Sequence, residues 1–293
     1  MKKVIFFNIL FLLVSNGAHA QSQTLSHSDS LQRIYEYLSK RYAVSYTSFD
    51  TTTINFRKEA ASLIRSTNKD KVLTGYITLG LLDMYANRTD MAISQLKKGL
   101  QIDSTCYLCY DKLHWLYWYG KNNYGEANKY WKIGASKYEE MLRDDSSDVE
   151  TWSKLYNLYK LNEGTRSLLI KQRMDYLSAK LVLLAPDNPY YWWQNSFHNE
   201  KNIPAKEYAL IKAYNLQPNE TIYWNTLANF YCEQRNLDKV LEIMNAVKGY
   251  EAASPSYWYQ QMAVYHYRLG KKKEANDIFL EAKSKGYTIV YKY

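Results

Sequence analysis

Cysteine is scarce in this 293-residue chain, with Cys106, Cys109 and Cys232 the whole supply. Three thiols make no disulfide framework, so the fold must be held by its core. Histidine is nearly as rare: His19, His27, His114, His198 and His266 are scattered rather than clustered, and none is marked out as a ligand or a catalytic base. No HExxH, GxSxG, P-loop or GxGxxG pattern occurs, so the usual signatures of zinc, serine-hydrolase and nucleotide chemistry are absent. The adjacent carboxylates Glu139-Glu140 and Asp144-Asp145 point apart on a helix and support no acid–base pair. These absences together predict a chain that is not an enzyme and that carries neither cofactor nor metal.

Long apolar runs are also missing, with one exception at the start. MKKVIFFNILFLLVSNGAHA has two lysines, an apolar run from Val4 to Val14 and then small residues, with Ala18 and Ala20 flanking His19. That is the pattern of a secretory signal peptide over 1–20, cleaved after Ala20 to leave Gln21 first. Its apolar core is shorter than the roughly 20 residues a membrane span needs, and no later run approaches that length. No cysteine follows the cleavage site to take a lipid, so the expectation is an exported protein, soluble after cleavage, in the periplasm or outside the cell. The formal net charge is +9, and losing Lys2 and Lys3 with the leader lowers it to +7. The only basic block is Lys271-Lys272-Lys273, so nucleic acid is not an expected partner. Weak attraction to anionic glycans or to a membrane surface stays open.

What the chain does have is helical periodicity. In Leu73–Ser104, LTGYITLGLLDMYANRTDMAISQLKKGLQIDS, the residues Tyr76, Leu79, Gly80, Leu82 and Met84 fall on overlapping turns of one helix. Asn87-Arg88-Thr89-Asp90 supplies turn and N-cap chemistry, and Ala92, Ile93, Leu96, Gly99 and Leu100 form a second apolar stripe. Such a pair cannot bury both stripes alone and needs copies of itself on either side. The order of aromatic, Leu-Gly, Ala and Leu resembles the tetratricopeptide repeat (TPR), whose period is about 34 residues. The resemblance implies an all-α, right-handed solenoid of about seven helix-turn-helix repeats, with a binding groove and no stated partner.

The rest of the chain fits that frame. Residues 21–70 read as an atypical first hairpin, with Leu31, Ile34, Leu38 and Tyr42 on one helix, a break at Asp50-Thr51-Thr52-Thr53, and Phe56, Ala60, Leu63 and Ile64 on the next. Repeats follow over 71–286. One extra residue is expected in the turn Lys121–Gly125, and two hairpins have lengthened second helices. Landmarks recur at the right pitch: Trp193 to Trp224 is 31 residues, Trp224 to Tyr259 is 35, and Pro186 to Pro218 is 32. Trp152, Trp224, Tyr259 and Phe279 are expected to pack between hairpins. The tail 287–293, rich in β-branched and aromatic residues, reads as extended or disordered. Cys106-Tyr107-Leu108-Cys109 has CxxC spacing without the flanks of a redox motif; a local disulfide at a helix start, buried free thiols and redox catalysis are the three readings. Cys232, beside Tyr231, is a small core or groove residue.

In the repeats that this sequence resembles, the first helices line the concave face, and the residues between the packing positions point there. In this chain those include Asp111, Trp115 and Trp118; Ser153 and Asn157; Tyr191, Asn195 and His198; Asn225 and Asn229; and Tyr257 and Arg268. Asn157, Asn195 and Asn229 recur at separations of 38 and 34. A carboxamide both donates and accepts, so such a row can hold the backbone of an extended peptide, although a merely solvated polar face would look the same. The carboxylate-clamp subclass of the family places cations where this chain has Ser153, Tyr191 and Asn225, which argues against recognition of a free C-terminal carboxylate. The leading expectation is an exported scaffold for a protein or peptide partner. The alternative is a glycan-binding envelope protein using Trp115, Trp118, Tyr119 and Tyr191 as sugar platforms. Nothing in the residues fixes an oligomeric state.

Overall fold

The computed structural model describes residues 51–161, 167–250 and 254–288. The expected leader, the expected helix around Leu31–Tyr42 and all but Tyr287 and Thr288 of the expected tail lie outside the described residues. Within them the chain forms thirteen α-helices, one π-helical turn and no strand. In order they are α1 (Thr51–Ile64), α2 (Lys69–Tyr85), α3 (Thr89–Ile102), α4 (Tyr107–Trp115) running into the π turn Leu116–Gly120, α5 (Tyr124–Asp144), α6 (Val149–Lys160), α7 (Leu168–Leu184), α8 (Pro189–His198), α9 (Ile203–Leu216), α10 (Thr221–Glu233), α11 (Leu237–Ala246), α12 (Pro255–Arg268) and α13 (Lys272–Ser284). Two compact units divide inside α7, the first ending at Arg173 and the second beginning at Met174. α1 packs on α2, and each of the pairs α2/α3, α4/α5, α8/α9, α10/α11 and α12/α13 packs as a hairpin.

Asparagine or aspartate caps six of the thirteen described helices. Asn68 accepts from the backbone N–H of Asp70 at 2.9 Å, Asp148 from Glu150 at 3.0 Å, and Asn202, Asn236 and Asn123 do the same for α9, α11 and α5. Three first helices end alike. Asn87, Arg235 and Gly270 take positive φ, and the next N–H (Arg88, Asn236, Lys271) returns to the carbonyl five residues back at 2.8–2.9 Å. This is a Schellman turn, and it closes the hairpin by satisfying a carbonyl that the helix leaves open. It also corrects the sequence reading of Asn87-Arg88-Thr89-Asp90. Asn87 serves the left-handed turn, while Arg88, at the N-cap, makes no side-chain cap bond. The predicted break at Thr51–Thr53 is likewise the first turn of α1.

Irregularity in the third hairpin falls in a different place from the one predicted. The extra residue does not lengthen the loop at Lys121–Gly125 but is absorbed in the helix, where Lys121 N–H bonds the Leu116 carbonyl at 3.0 Å. Second helices α5 and α7, of 21 and 17 residues, are the longest second helices of the described hairpins, as the sequence suggests.

Close packing uses glycine at several points in the first unit, Gly75 and Gly80 among them. A Cβ on Gly80 would lie 2.8 Å from Leu96 Cγ, and one on Gly75 would lie 2.8 Å from the Ala60 carbonyl oxygen, so glycine lets α2 settle against α3 and α1. The cores are apolar. Leu81, Leu96, Leu113 and Leu155 fill the first unit, and Leu210, Trp224, Val240, Met244 and Tyr265 the second. Trp152, Trp224 and Tyr259 are buried, whereas Phe279 on α13 is only half-buried. An aromatic in the first helix also ties down the turn before it: Tyr110, Trp152 and Trp192 donate to the carbonyls of Ser104, Ser146 and Pro186, each six residues upstream, at 2.8, 2.9 and 2.6 Å.

Candidate functional site

The second unit brings four of the singled-out residues together on two neighbouring first helices. Asn225 and Asn229 stand one turn apart on α10, both half-buried, and Arg268 and Tyr257 lie on α12. Asn229 Nδ2 donates to the Asn225 main-chain carbonyl at 2.8 Å and to its Oδ1 at 3.3 Å. Arg268 Nη1 donates to Asn229 Oδ1 at 2.8 Å, and the Tyr265 hydroxyl donates to Asn225 Oδ1 at 2.7 Å. Burial pushes the Tyr265 and Tyr257 phenols up from their ordinary range, so both stay neutral donors at physiological pH. The Tyr257 ring meets Trp224 edge-on at 5.8 Å.

Counting valences shows what the cluster has left for a ligand. Tyr265 and Asn229 occupy Asn225 Oδ1, which leaves the Asn225 amide hydrogens as donors. Asn229 has both amide hydrogens engaged and keeps one lone pair, and Arg268, exposed, has used only one of the five N–H groups a guanidinium carries. The surface is therefore rich in donors, and its complement is a row of acceptors.

Asn195 on α8 is more fully engaged. Its Nδ2 donates to Ser178 on α7 at 2.8 Å, and Asn199 Nδ2 donates to both its Oδ1 and its main-chain carbonyl at 2.9 Å. By bonding pattern, then, Asn195-Asn199 repeats Asn225-Asn229, an Asn-x-x-x-Asn pair that is visible in the sequence once sought. Trp193 Nε1 reaches Thr226 at 3.1 Å and joins α8 to α10. His198 on α8 pairs with Asp175 on α7 at 2.9 Å. Asn157, the third member of the predicted row, is half-buried on α6 in the first unit. Tyr191 is buried with its ring against Tyr190, because α8 turns positions 191 and 194 inward together, so it forms no exposed platform.

The remaining candidates surround α4. Asp111 is buried rather than lining a groove, paired with Lys112 at 2.7 Å. His114 is buried beside it, and burial pushes its imidazole below the ordinary range against the opposing pull of Asp111. Trp115 and Trp118 are half-buried. Trp118 has His114 stacked at 5.5 Å on one side and the Tyr124 ring edge-on at 4.7 Å, while Trp115 leans on Tyr119 at 5.5 Å. The exposed aromatics here are Tyr119 and Tyr124, not the indoles. Cys106 and Cys109, both buried, are joined as a disulfide across the first turn of α4, where Cys106 Sγ also accepts the Cys109 N–H at 3.2 Å. Cys232 is buried as a free thiol, which burial pushes up. Among the described residues no group of three or more His, Cys, Asp or Glu side chains could hold a metal, and no helix is long and apolar enough to cross a membrane.

Sequence reasoning missed a set of stitches between hairpins. Glu207 on α9 accepts from Tyr231 on α10 at 2.8 Å and from Lys239 on α11 at 2.6 Å, and Glu139 on α5 accepts from Tyr159 on α6 and Arg173 on α7, both at 3.1 Å. These bonds to Lys239 and Tyr231 hold the Glu207 carboxyl below its usual range. The partners stand 20 to 34 residues apart, and no local pattern announces them.

First helices of successive hairpins begin at Lys69, Tyr107, Val149, Pro189, Thr221 and Pro255, at intervals of 32 to 42 residues, with the same turn chemistry recurring. The fold is a tetratricopeptide-like helical repeat. No protein-family model matches the chain, and no curated protein matches it in sequence. Among solved structures it is similar to PilF of Pseudomonas aeruginosa, at 14% identity over 74% of this chain and 93% of that one, with a TM-score of 0.49. It is also similar to a tetratricopeptide repeat protein from Parabacteroides merdae, at 12% identity over 90% and 95% of the two chains and a TM-score of 0.48. A third likeness is to MamA, at 19% identity over 56% and 93% and a TM-score of 0.43. At these levels the assignment of the fold stands on the hairpins of this TPR-like chain itself.

Proposed function

We propose that this TPR-like chain is an exported protein-interaction scaffold that holds an extended segment of a partner protein along the first helices of its hairpins. The donor surplus at Asn225 and Arg268 carries the reading. An extended segment offers a carbonyl acceptor at every residue, and helix-borne carboxamides can bond those carbonyls whatever the side chains are. The α8–α10–α12 face is already stitched by Trp193–Thr226, Asn225–Tyr265 and Asn229–Arg268, so the donors are held in place before a ligand arrives, which lowers the ordering cost of binding. Export rests on the leader-like residues 1–20.

A photo-crosslinking residue in place of Gln260 on α12 tests this, with the exposed Tyr208 on α9 as the control position. The expected result is one defined protein adduct from the cell-envelope fraction at position 260 only. Asn225→Ala with Asn229→Ala should weaken it by roughly 5- to 150-fold, the equivalent of two hydrogen bonds of about 0.5–1.5 kcal/mol. Equal labelling at both positions, or no protein adduct at either, rejects the scaffold.

A further inference from the structure

One end of the same face carries five cations against Glu233 at the end of α10 and Glu274 in the first turn of α13. Arg235 lies in the turn between α10 and α11; Arg268 ends α12; Lys271, Lys272 and Lys273 occupy the turn into α13 and its first residues, and all five are exposed. None of the five has a carboxylate partner among the described residues, whereas Lys239 and Lys285 in the same unit are paired to Glu207 and Glu281 at 2.6 and 2.5 Å. The Arg235 and Lys271 turns are built alike, with residues 235 and 270 at positive φ and Asn236 and Lys271 returning to the carbonyls of Tyr231 and His266. They therefore sit at corresponding ends of consecutive hairpins, and the Arg268–Asn229 bond brings their first helices into register.

Local stability does not explain this placement. Lys271 is the N-cap of α13 and makes no side-chain cap bond, and two more lysines follow at the positive end of the helix dipole, with Glu274 the only acid in the first turn. Cations there oppose the macrodipole instead of complementing it. Lys272 lies over the Tyr267 ring at 5.9 Å and the three lysines are exposed, while Arg268 is held next to the carboxamides by Asn229.

We infer that the segment held by the α10–α12 face is acidic, with carboxylates seated at Arg268 and the Lys271–Lys273 turn while its backbone carbonyls take the N–H groups of Asn225. The inference rests on the scaffold reading and names the chemistry of the partner. Carboxamides adjoining the cations fit peptide carbonyls, which favours an acidic protein segment over a sulfated or phosphorylated polymer.

The test uses the mature chain with two fluorescein-labelled peptides of equal length, one of repeated Gly-Ser-Asp and one of repeated Gly-Ser-Asn, followed by anisotropy at low and at physiological salt. The Asp peptide should bind at least about 10-fold tighter than its Asn counterpart, and salt should erode the difference, since exposed charges are screened over roughly 8–10 Å. Lys271→Glu with Lys272→Glu and Lys273→Glu should abolish the preference, while circular dichroism shows the helices intact; Arg268→Gln should reduce it on its own. Asn225→Ala with Asn229→Ala should weaken both peptides alike. Equal binding of the two peptides overturns the acidic partner and leaves the scaffold standing. Absence of binding by the Asp peptide overturns it as well, and so does a chain that ignores both peptides yet captures a heparin oligosaccharide through the same lysines, an outcome that removes the scaffold reading too.

Discussion

Gly75 shows how little space separates neighbouring helices. A Cβ there would lie 2.7 Å from Ile64 Cγ1 and 2.8 Å from the Ala60 carbonyl oxygen, and the second contact is backbone, which cannot rotate away. Alanine gains about 1 kcal/mol in helix propensity, yet the clash should outweigh it and leave Gly75→Ala destabilised by about 1–3 kcal/mol. Gly80→Ala, which meets only the Leu96 side chain, should cost less. Urea melts of the two variants check the order, and an equal or reversed pair would mean that α1 yields more easily than α3. The buried histidines make a second residue-scale prediction. Burial pushes His114 and His266 below the ordinary value of 6.5; Asp111 opposes this at the first, and Lys271 reinforces it while Glu274 opposes at the second. The unfolded chain takes up protons that the folded one resists, so stability is full above about pH 6.5 and falls as pH drops through it toward the folded values. Melts between pH 7.5 and 5 should show that slope, and His114→Phe should flatten it; a slope unchanged in the variant would assign the effect elsewhere.

At the scale of the element, three first helices, α4, α6 and α8, pack on a neighbouring helix and also fasten the turn ahead of them. Trp152 on α6 does both, being buried while its Nε1 holds the Ser146 carbonyl at 2.9 Å. Trp152→Phe keeps most of the packing and loses the bond, for about 0.5–1.5 kcal/mol. Trp152→Ala loses both, for about 3–5 kcal/mol. Thermal denaturation separates the two, and a phenylalanine variant as damaged as the alanine one would show that the bond, not the ring, matters. The same aromatic-to-carbonyl tie recurs at Tyr110 and Trp192, which makes it a property of the hairpin junction. The π turn Leu116–Gly120 illustrates the opposite freedom. A helix held on both sides absorbs an inserted residue internally, and the hairpin still closes at Asn123 through a cap bond to the Glu126 N–H at 3.1 Å.

Across the whole molecule, most contacts join elements next to each other in sequence, so stability should be distributed as a sum of neighbouring terms. Trp224, fully buried between α10 and its neighbours, is the place to test this. Trp224→Ala should cost about 3–5 kcal/mol, and the loss of amide-exchange protection should concentrate in α9–α13 while α2 and α3 keep theirs. Hydrogen exchange followed by mass spectrometry reads this directly. Uniform loss from Lys69 to Ser284 would show one cooperative block instead of a repeat array.

Among the described residues, the order and approximate limits of the helices after Lys69 were legible in the sequence alone, because a 3.6-residue apolar stripe, an Asn or Asp cap and a recurrent aromatic are all local signals. The same was true of Gly80, whose need for a close neighbour follows from the repeat pattern, and of Trp224 as a packing residue. Phe279 misled, since its place in a stripe says nothing of whether a neighbour covers it. Tyr191 and Asp111 misled for a related reason: which polar or aromatic side of a short helix faces outward depends on how the helix is rolled, and half a turn of roll exchanges groove for core. The Asn225–Tyr265 and Asn229–Arg268 bonds, 40 and 39 residues apart, and the Glu207–Tyr231–Lys239 stitch were decided only by the tertiary structure. A side-chain bond between hairpins needs two helices brought within about 3 Å at their polar tips, and no periodicity within either helix encodes that distance.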